Sequence, residues 1–214
     1  RSLDEARSMG IRVGDPITVK TEVFELKGGL VCGKAFDDRA GCAVLIELLR
    51  RVENPQFKLC AAFTVQEEVG LKGATVSAFA LNPTVGVAID TTIAADHPGA
   101  QEQEAPVKVG AGPVILVADG RRDSLSGGLI ANAKVREWLM EAAERAKVPY
   151  QLEVLEGGTT DATAIHLTQR GVPAGVVSIP SRYTHSFAEV ISLDDLENCV
   201  RLLVEAVKTG LPEV

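Results

Sequence analysis

Three apolar runs in this chain each lead directly into acidic residues, and this repeated arrangement limits the folds that the sequence can adopt. The runs and the acids that follow them are 30–36 with Asp37, 59–65 with Glu67, and 85–89 with Asp90. Each run has the length of a buried strand, and helical spacing of apolar residues resumes after it. Strands that alternate with helices favour an α/β fold, in which ligands gather at the carboxyl ends of the strands.

The alternation continues to the end of the chain. Before it, residues 17–26 and 30–35 flank a Lys-Gly-Gly turn and predict a hairpin. Helical periodicity is found at 40–52, 73–80, 135–146, 161–170 and 193–207. Strands are predicted at 57–65, 84–90, 113–118, 150–155 and 173–179, and residues 91–112 are predicted to form a loop. The prediction is one α/β domain with a largely parallel central sheet flanked by helices on both faces.

Composition narrows the class of protein. The 214 residues suffice for one sizeable core, and 29 acidic against 22 basic residues, with no Lys/Arg cluster, argue against nucleic acid as a partner. No apolar run is long enough to predict a membrane span. The four scattered cysteines, Cys32, Cys42, Cys60 and Cys199, lie in apolar runs. We therefore predict buried reduced thiols, which favour a cytoplasmic protein.

The adjacent acids Asp37 and Asp38 are the first candidates for chemistry. Two metal ions about 3.5–4 Å apart need a shared carboxylate. Neighbouring side chains of an extended backbone point to opposite faces, so only one of this pair can be shared unless the peptide is distorted. A strained or cis Asp37–Asp38 peptide is therefore expected at such a site. The alternative is an exposed acidic turn in which Asp38 caps the following helix.

The second acidic pair, Glu67 and Glu68, fits the same chemistry. One carboxylate can bind a metal while its neighbour holds a water as general base. Taken alone, the pair is equally typical of a solvated loop. Asp90 by itself resembles the many aspartates that end strands, and His185 by itself resembles a surface histidine or one that supports a ligand. The combination of the four positions favours a metal-dependent hydrolase.

Five motifs occur in order along the chain: Phe36-Asp37-Asp38-Arg39-Ala40-Gly41, Val65-Gln66-Glu67-Glu68-Val69-Gly70, Ala88-Ile89-Asp90, Gly158-Thr159-Thr160-Asp161-Ala162 and Ser181-Arg182-Tyr183-Thr184-His185-Ser186. Together they resemble the signature of the tetrahedral aminopeptidases, which include glutamyl and leucyl aminopeptidases and are cobalt- or zinc-dependent dinuclear metallopeptidases. The resemblance implies a dinuclear zinc-peptidase-like catalytic domain that removes N-terminal residues from short peptides. It also implies a homo-oligomer, a dodecamer built from dimers.

The resemblance assigns a role to each residue of the site. Asp37 is implied to bridge two divalent metal ions, zinc or cobalt. Glu68 and His185 are implied to complete the ligands of one ion, and Asp90 to be a ligand of the other. Glu67 is implied to be the general base that takes a proton from a metal-activated water.

One departure from the family pattern concerns the second metal ion. The family has a further ligand histidine in a His-x-Asp motif, followed by an inserted apical domain, and neither precedes Arg1 in this sequence. We expect residues 1–16 to be the tail of that insertion and residues 17–214 to be a catalytic domain whose N-terminal part is absent. The chain is then expected to keep at most one tightly bound metal. His97 is an alternative nitrogen ligand in a predicted surface loop, whereas His166 is expected to pack within its helix.

Other functions stay open at this point. A related dinuclear deacylase or carboxypeptidase can use a similar metal site, and the chain without the His-x-Asp segment can be an inactive assembly module. A glycosidase needs two carboxylates on either side of a sugar bond and no metal. Because Glu67 and Glu68 are adjacent and lie among metal-type ligands, the sequence argues against that activity.

Overall fold

The computed structural model describes residues 2–100 and 106–214. In chain order its elements are α1 (Leu3–Ser8), β1 (Phe24–Glu25), β2 (Leu30–Gly33), α2 (Phe36–Arg51), α3 (Lys72–Leu81), β3 (Gly86–Ile93), β4 (Val114–Gly120), α4 (Ala133–Ala146), β5 (Gln151–Glu156), α5 (Asp161–Ile165), β6 (Ala174–Ser181), β7 (Glu189–Ser192) and α6 (Leu193–Lys208).

The main sheet has four strands in the order β3-β6-β4-β5. Strands β3 and β6 pair in parallel from Gly86↔Ala174 to Ile93↔Ser181, and β4 pairs with β5 in parallel. The central pairing of β4 with β6 is antiparallel and short. A second sheet, β1-β2-β7, is antiparallel throughout. The predicted α/β class with a largely parallel sheet is confirmed, with one antiparallel junction that the alternation of strands and helices did not reveal.

Helices cover both faces of the main sheet. Successive residues of a strand point to opposite faces, so neighbouring residues of β6 pack against different helices. Val177 of β6 joins a buried cluster that includes Val44 of α2 and Leu139 of α4. Its neighbour Val176 points the other way, into a smaller cluster with Ala162 of α5. The site-bearing strands are therefore held between two apolar layers.

Residues 57–65 do not form the predicted strand. The segment keeps a period-two pattern of exposure from Phe57 to Ala62, yet no strand pairs with it in the described part of the chain. Residues 57–64 and strand β3 line the same cavity instead of pairing with each other. The alternation of exposure is that of an extended backbone, but a strand also needs a neighbour for its backbone N–H and C=O groups.

Several boundaries differ from the prediction. The first hairpin is reduced to the contacts of β1 with β2, and α5 ends at Ile165 instead of near residue 170. Strand β3 extends into the predicted loop, of which residues 101–105 lie outside the described residues. Strand β7 was not predicted, because its four residues merge with the start of α6 in the sequence pattern.

The cysteine prediction holds only in part. Cys32 and Cys199 are buried and all four thiols are free, but Cys42 is half-buried and Cys60 is exposed. Cys60 is exposed because it belongs to the segment that lacks a strand partner. Within the described residues, no helix has the length and apolar character that crossing a membrane requires.

A buried carboxyl in β5 makes the stability of the chain depend on pH. Glu153 is 3% exposed and accepts a 2.6 Å hydrogen bond from the Thr92 hydroxyl. Burial raises the pKa of Glu153 to about 7. Because the folded state holds this proton more tightly than the unfolded chain, the stabilisation is complete below the unfolded pKa and is lost as pH rises through about 7.

We expect Glu153→Gln to remove this dependence. The free energy of unfolding of the variant, relative to the unaltered chain, should rise by roughly 2–3 kcal/mol between pH 5 and pH 8. Denaturant titrations at pH 5, 7 and 8 measure it. Glu156→Gln, at an exposed position of the same strand, should show no such change. A relative stability of Glu153→Gln that is flat with pH would contradict the assignment.

Candidate metal centre

The acids Asp37 and Asp38 lie where β2 passes into α2, and their backbone angles are not helical. The peptide bond between them is cis, as expected. Their side chains diverge: Asp37 faces His185, whereas Asp38 Oδ1 accepts a 2.9 Å hydrogen bond from the N–H of Gly41. A Cβ at position 41 would collide with the Asp38 carboxylate, so a larger residue there would displace it. Asp38 thus caps the regular part of the helix, and Asp37 is left for the site.

Glu67 and Glu68 lie in a turn that precedes α3. The Glu67 carbonyl accepts 2.9 Å hydrogen bonds from the N–H groups of Gly70 and Leu71, which closes the turn. Glu67 is half-buried and Glu68 is exposed. The two neighbouring carboxylates therefore lie in different surroundings, as the metal-site interpretation of the pair requires.

Asp37, Glu68 and His185 meet at one point. His185 Nε2 lies 2.9 Å from Asp37 Oδ2 and 3.2 Å from Glu68 Oε2. One ligand atom from each of the three residues lies within 4.8 Å of the others. Two carboxylates and one imidazole in this proximity are a donor set that suits zinc or a similar divalent ion.

Asp90 lies in β3 and is not one of these three residues. Its Oδ1 accepts a 2.8 Å hydrogen bond from the N–H of Thr91. Burial raises the pKa of Asp90 to about 9, and the negative charges of Asp38 and Asp37 add to the shift. Asp90 is therefore close enough to Asp37 and Asp38 to interact with them electrostatically.

The cluster holds more carboxyl groups than its surroundings stabilise in the ionised form. Burial raises the pKa of Asp37, with repulsion from Glu68 as the next cause, and it raises the pKa of Asp38 to about 8. Burial also raises the pKa of Glu67 to about 7, followed by repulsion from Asp161 and Glu68. Carboxyls that resist ionisation for want of positive charge are stabilised as ligands of a cation. The residues present therefore fit a divalent metal ion.

A cavity of about 580 Å³ opens beside the acids. Asp38, Glu67, Asp90 and Asp161 line one part of it, and apolar side chains of 57–63, α2 and α6 line the rest. Asp161 accepts a 2.5 Å hydrogen bond from the Thr64 hydroxyl through Oδ2, while no residue that the structure describes makes a hydrogen bond to its buried Oδ1. The polar part of the cavity is thus rich in acceptors.

The other predicted histidines lie apart from this cluster. His97 packs against Tyr183 with ring centroids 4.6 Å apart and ring planes tilted by 44°, and its Nδ1 lies 3.2 Å from the Pro98 carbonyl. Arg182 makes a two-pronged ion pair with Asp96 at 2.8 and 2.7 Å, so its head group is already engaged. His166 follows α5 directly, and its Nδ1 lies 3.2 Å from the Ala162 carbonyl, in agreement with the packing role expected for it.

Sequence reasoning missed one residue at this centre. Glu189 is buried and accepts hydrogen bonds from the backbone N–H groups of Asp37 and His185. The available signal was an acidic residue four positions after His185 at the start of an apolar run. That signal is weak, because the partner of Glu189 at Asp37 is 152 positions away in sequence.

Comparison with known proteins gives consistent matches over most of the chain. A family model described as M42 glutamyl aminopeptidase matches residues 1–202. The solved aminopeptidase APDkam598 from the archaeon Desulfurococcus kamchatkensis superposes with a TM-score of 0.94 at 47% identity, covering 99% of this chain and 58% of that one. The lysyl aminopeptidase of Pyrococcus furiosus is 33% identical over 202 residues, which are 94% of this chain and 55% of the relative.

A further solved relative is described by its assembly. The TET1 peptidase of Pyrococcus horikoshii, which can assemble into a tetrahedron or a large octahedral shell, matches with a TM-score of 0.68 at 31% identity. The match covers 86% of this chain and 52% of that one. In each of these comparisons the chain spans less than two thirds of the relative's length.

Replacing His185 tests the centre directly. We expect His185→Ala to weaken zinc binding by more than the roughly 10- to 100-fold typical of losing a residue that only supports a ligand. Zinc affinity is measured by competition with a chromophoric chelator. His97→Ala and His166→Ala are the controls and should bind zinc like the unaltered chain. Loss of binding in His97→Ala with retention in His185→Ala would move the site to the other histidine.

Proposed function

Because the chain belongs to the M42 glutamyl aminopeptidase family, we propose that its protein is a metal-dependent aminopeptidase that removes N-terminal residues from short peptides. The observation that carries the proposal is the convergence of Asp37, Glu68 and His185 beside the half-buried carboxyl of Glu67. A cluster of metal-type donors next to a carboxylate that can move a proton is the arrangement that hydrolysis of an amide needs.

We propose that residues 17–214 are the larger part of the catalytic domain and residues 1–16 the tail of an inserted domain. The support is the length comparison, since the chain covers 58% of the Desulfurococcus aminopeptidase and 55% of the Pyrococcus lysyl aminopeptidase. In the described part of the first segment, α1 has no buried residue. A helix without a buried residue in this domain is expected of a segment that belongs to another one.

Asp37, Glu68 and His185 would hold one divalent ion, zinc or cobalt, and Asp37 with Asp90 would hold the other in the complete protein. When bound, such ions lower the pKa of a water and polarise the carbonyl of the scissile bond. The support for the first position is its geometry and for the second only the raised pKa of Asp90 and the nearby Asp37 charge.

Glu67 is the proposed general base. Burial raises the pKa of Glu67 to about 7 in the metal-free chain, and its place beside the ligand position suits a group that must take a proton and return it. It would accept the proton of the attacking water and donate it to the amine that leaves. Its half-buried position, in the wall of the cavity and not at the exposed surface, keeps it at the side of the substrate.

The substrate is proposed to be a short peptide with a free amino terminus. Within residues 2–100 and 106–214, Asp161 pairs with no Lys or Arg and its Oδ1 has no hydrogen-bond partner, so this part of the cavity favours a positively charged amine. The relatives include lysyl and glutamyl aminopeptidases, so the family does not determine which first residue is preferred. The complete protein is proposed to be a homo-oligomer, a dodecamer by resemblance, as assembly of the Pyrococcus horikoshii peptidase supports.

The substrates that are hydrolysed distinguish an aminopeptidase from a related deacylase or carboxypeptidase. Hydrolysis of an N-acylated amino acid, with none of an amide that carries a free α-amine, would replace the aminopeptidase assignment. Aminopeptidase activity requires the reverse pattern and should disappear when a chelator removes the metal.

We expect Glu67→Gln to lower turnover of an aminoacyl substrate by at least about 100-fold, the scale of a lost general base, while zinc binding stays near normal. Glutamine keeps the shape of the side chain but cannot accept the proton. Turnover is measured in a protein that carries the full length of the relatives, and zinc content is measured in the same sample. Near-normal turnover by this variant would remove Glu67 from the mechanism.

The 214-residue chain itself should retain at most one tightly bound metal after dialysis. The Asp37, Glu68 and His185 position has three protein ligands, whereas Asp37 and Asp90 offer only carboxylates for the other. Aminopeptidase activity should be far below that of the full-length protein, because the second ion is missing. Elemental analysis with intact mass measures the stoichiometry. Two retained equivalents, or full activity, would contradict this and direct attention to His97.

A further inference from the structure

Glu189 connects the two segments that bring Asp37 and His185 together. It is the first residue of β7 and is 2% exposed. Its Oε2 accepts a 3.1 Å hydrogen bond from the N–H of Asp37, and its Oε1 accepts a 3.2 Å hydrogen bond from the N–H of His185. Both oxygens of one buried carboxylate are therefore used to hold the backbones of two candidate ligands.

The N–H groups of Asp37 and His185 both lie outside the regular part of a helix or strand. Asp37 lies in the non-helical turn before the regular part of α2, and His185 has a left-handed φ of 63° in the loop between β6 and β7. A backbone donor outside a helix or sheet ladder is satisfied by another acceptor or by water. The carboxylate is that acceptor in both cases, and an ionised oxygen makes stronger hydrogen bonds than a neutral one.

The strand pairing places Glu189 at this point. Gly33, at the end of β2, pairs with Glu189 in the antiparallel register of β2 with β7. The chain reaches Asp37 four residues after Gly33 and left His185 four residues before Glu189. Fixing Glu189 in the sheet therefore fixes both loops, and with them the 2.9 Å separation of His185 Nε2 from Asp37 Oδ2.

We propose that Glu189 is a positioning residue for the metal centre, which holds Asp37 and His185 at the spacing that a shared cation requires. This inference rests on the metal site of the proposed function. Glu189 does not bind the cation or the substrate; it acts through the backbones of the ligands. Preorganised ligands bind a metal more tightly, because less ordering remains to be done when the ion arrives.

The chain contains a matched carboxylate for comparison. Asp195 of α6 is fully buried and also accepts two backbone hydrogen bonds, from the N–H of Gly110 at 2.7 Å and from that of Gly112 at 2.8 Å. It holds the loop before β4, which carries none of Asp37, Glu68, Asp90 and His185. A substitution at Asp195 therefore reports what the loss of such a buried bridge costs the fold alone.

The test compares Glu189→Gln with Asp195→Asn in the 214-residue chain. Each amide keeps one acceptor and turns an N–H donor toward the other backbone donor. Zinc affinity is measured by competition with a chelator, cobalt binding by its visible absorption, and stability by thermal unfolding without metal. Glu189→Gln should weaken zinc binding by roughly 10- to 100-fold and alter the cobalt spectrum. Asp195→Asn should lower the unfolding temperature without changing either metal readout.

Glu189→Asp provides a second variant in case the amide does not fold. It keeps the charge but is one methylene shorter, so it cannot reach both N–H groups, and its zinc affinity should also fall. A folded Glu189 variant with affinity within about threefold of the unaltered chain, or an equal loss in Asp195→Asn, would overturn the positioning role. An unaltered chain that binds no zinc would remove the proposed metal site and this inference with it.

Discussion

The parallel pairing of β3 with β6 is the constraint on which the candidate site depends. The ladder runs through all eight residues of each strand and ends with Ala94 N–H bonded to the Ser181 carbonyl at 2.9 Å. Parallel strands end at the same edge of a sheet, so the chain after β6 must leave beside the carboxyl end of β3. Asp90, in the second half of β3, and the loop that carries His185 therefore lie toward the same edge of the sheet, although almost a hundred residues separate them in sequence.

Charge is the second constraint, because the fold gathers five carboxyls that form no ion pair with a Lys or Arg among the described residues. Asp37, Asp38, Glu67, Asp90 and Asp161 all have raised pKa values, with burial as the first cause in each case. By contrast, the nearby Asp96 has a lowered pKa, because Arg182 donates hydrogen bonds to it. A basic side chain thus neutralises Asp96. No Lys or Arg among the described residues does so for the five carboxyls, which is consistent with a site for an external cation.

How far the sequence predicts the structure depends on whether a signal is local. Asp37, Glu67, Glu68 and Asp90 follow apolar runs, and the helix periods at α2, α4 and α6 are strong, so these elements and the edge they share could be predicted. The prediction of a strand at 57–65 was wrong because strand pairing is not a local property. The alternation is present in the sequence, but no described strand pairs with this segment. Glu189 was missed for the same reason, since its role appears only when β2 and β7 are paired.

In each of the two acidic pairs, a backbone turn gives the two neighbouring carboxylates different surroundings and therefore different proposed roles. Burial raises the pKa of both Asp38 and Glu67, so the direction of the shift alone does not identify a proton-transfer group. Both carboxyls line the cavity, but Asp38 also caps the helix by accepting a hydrogen bond from the N–H of Gly41, which supports Glu67 as the proposed base. A carboxyl that already accepts a backbone hydrogen bond is restrained in orientation, and a base must be free to reach the water. The same argument makes Asp37, not Asp38, the member of its pair that is available to a metal.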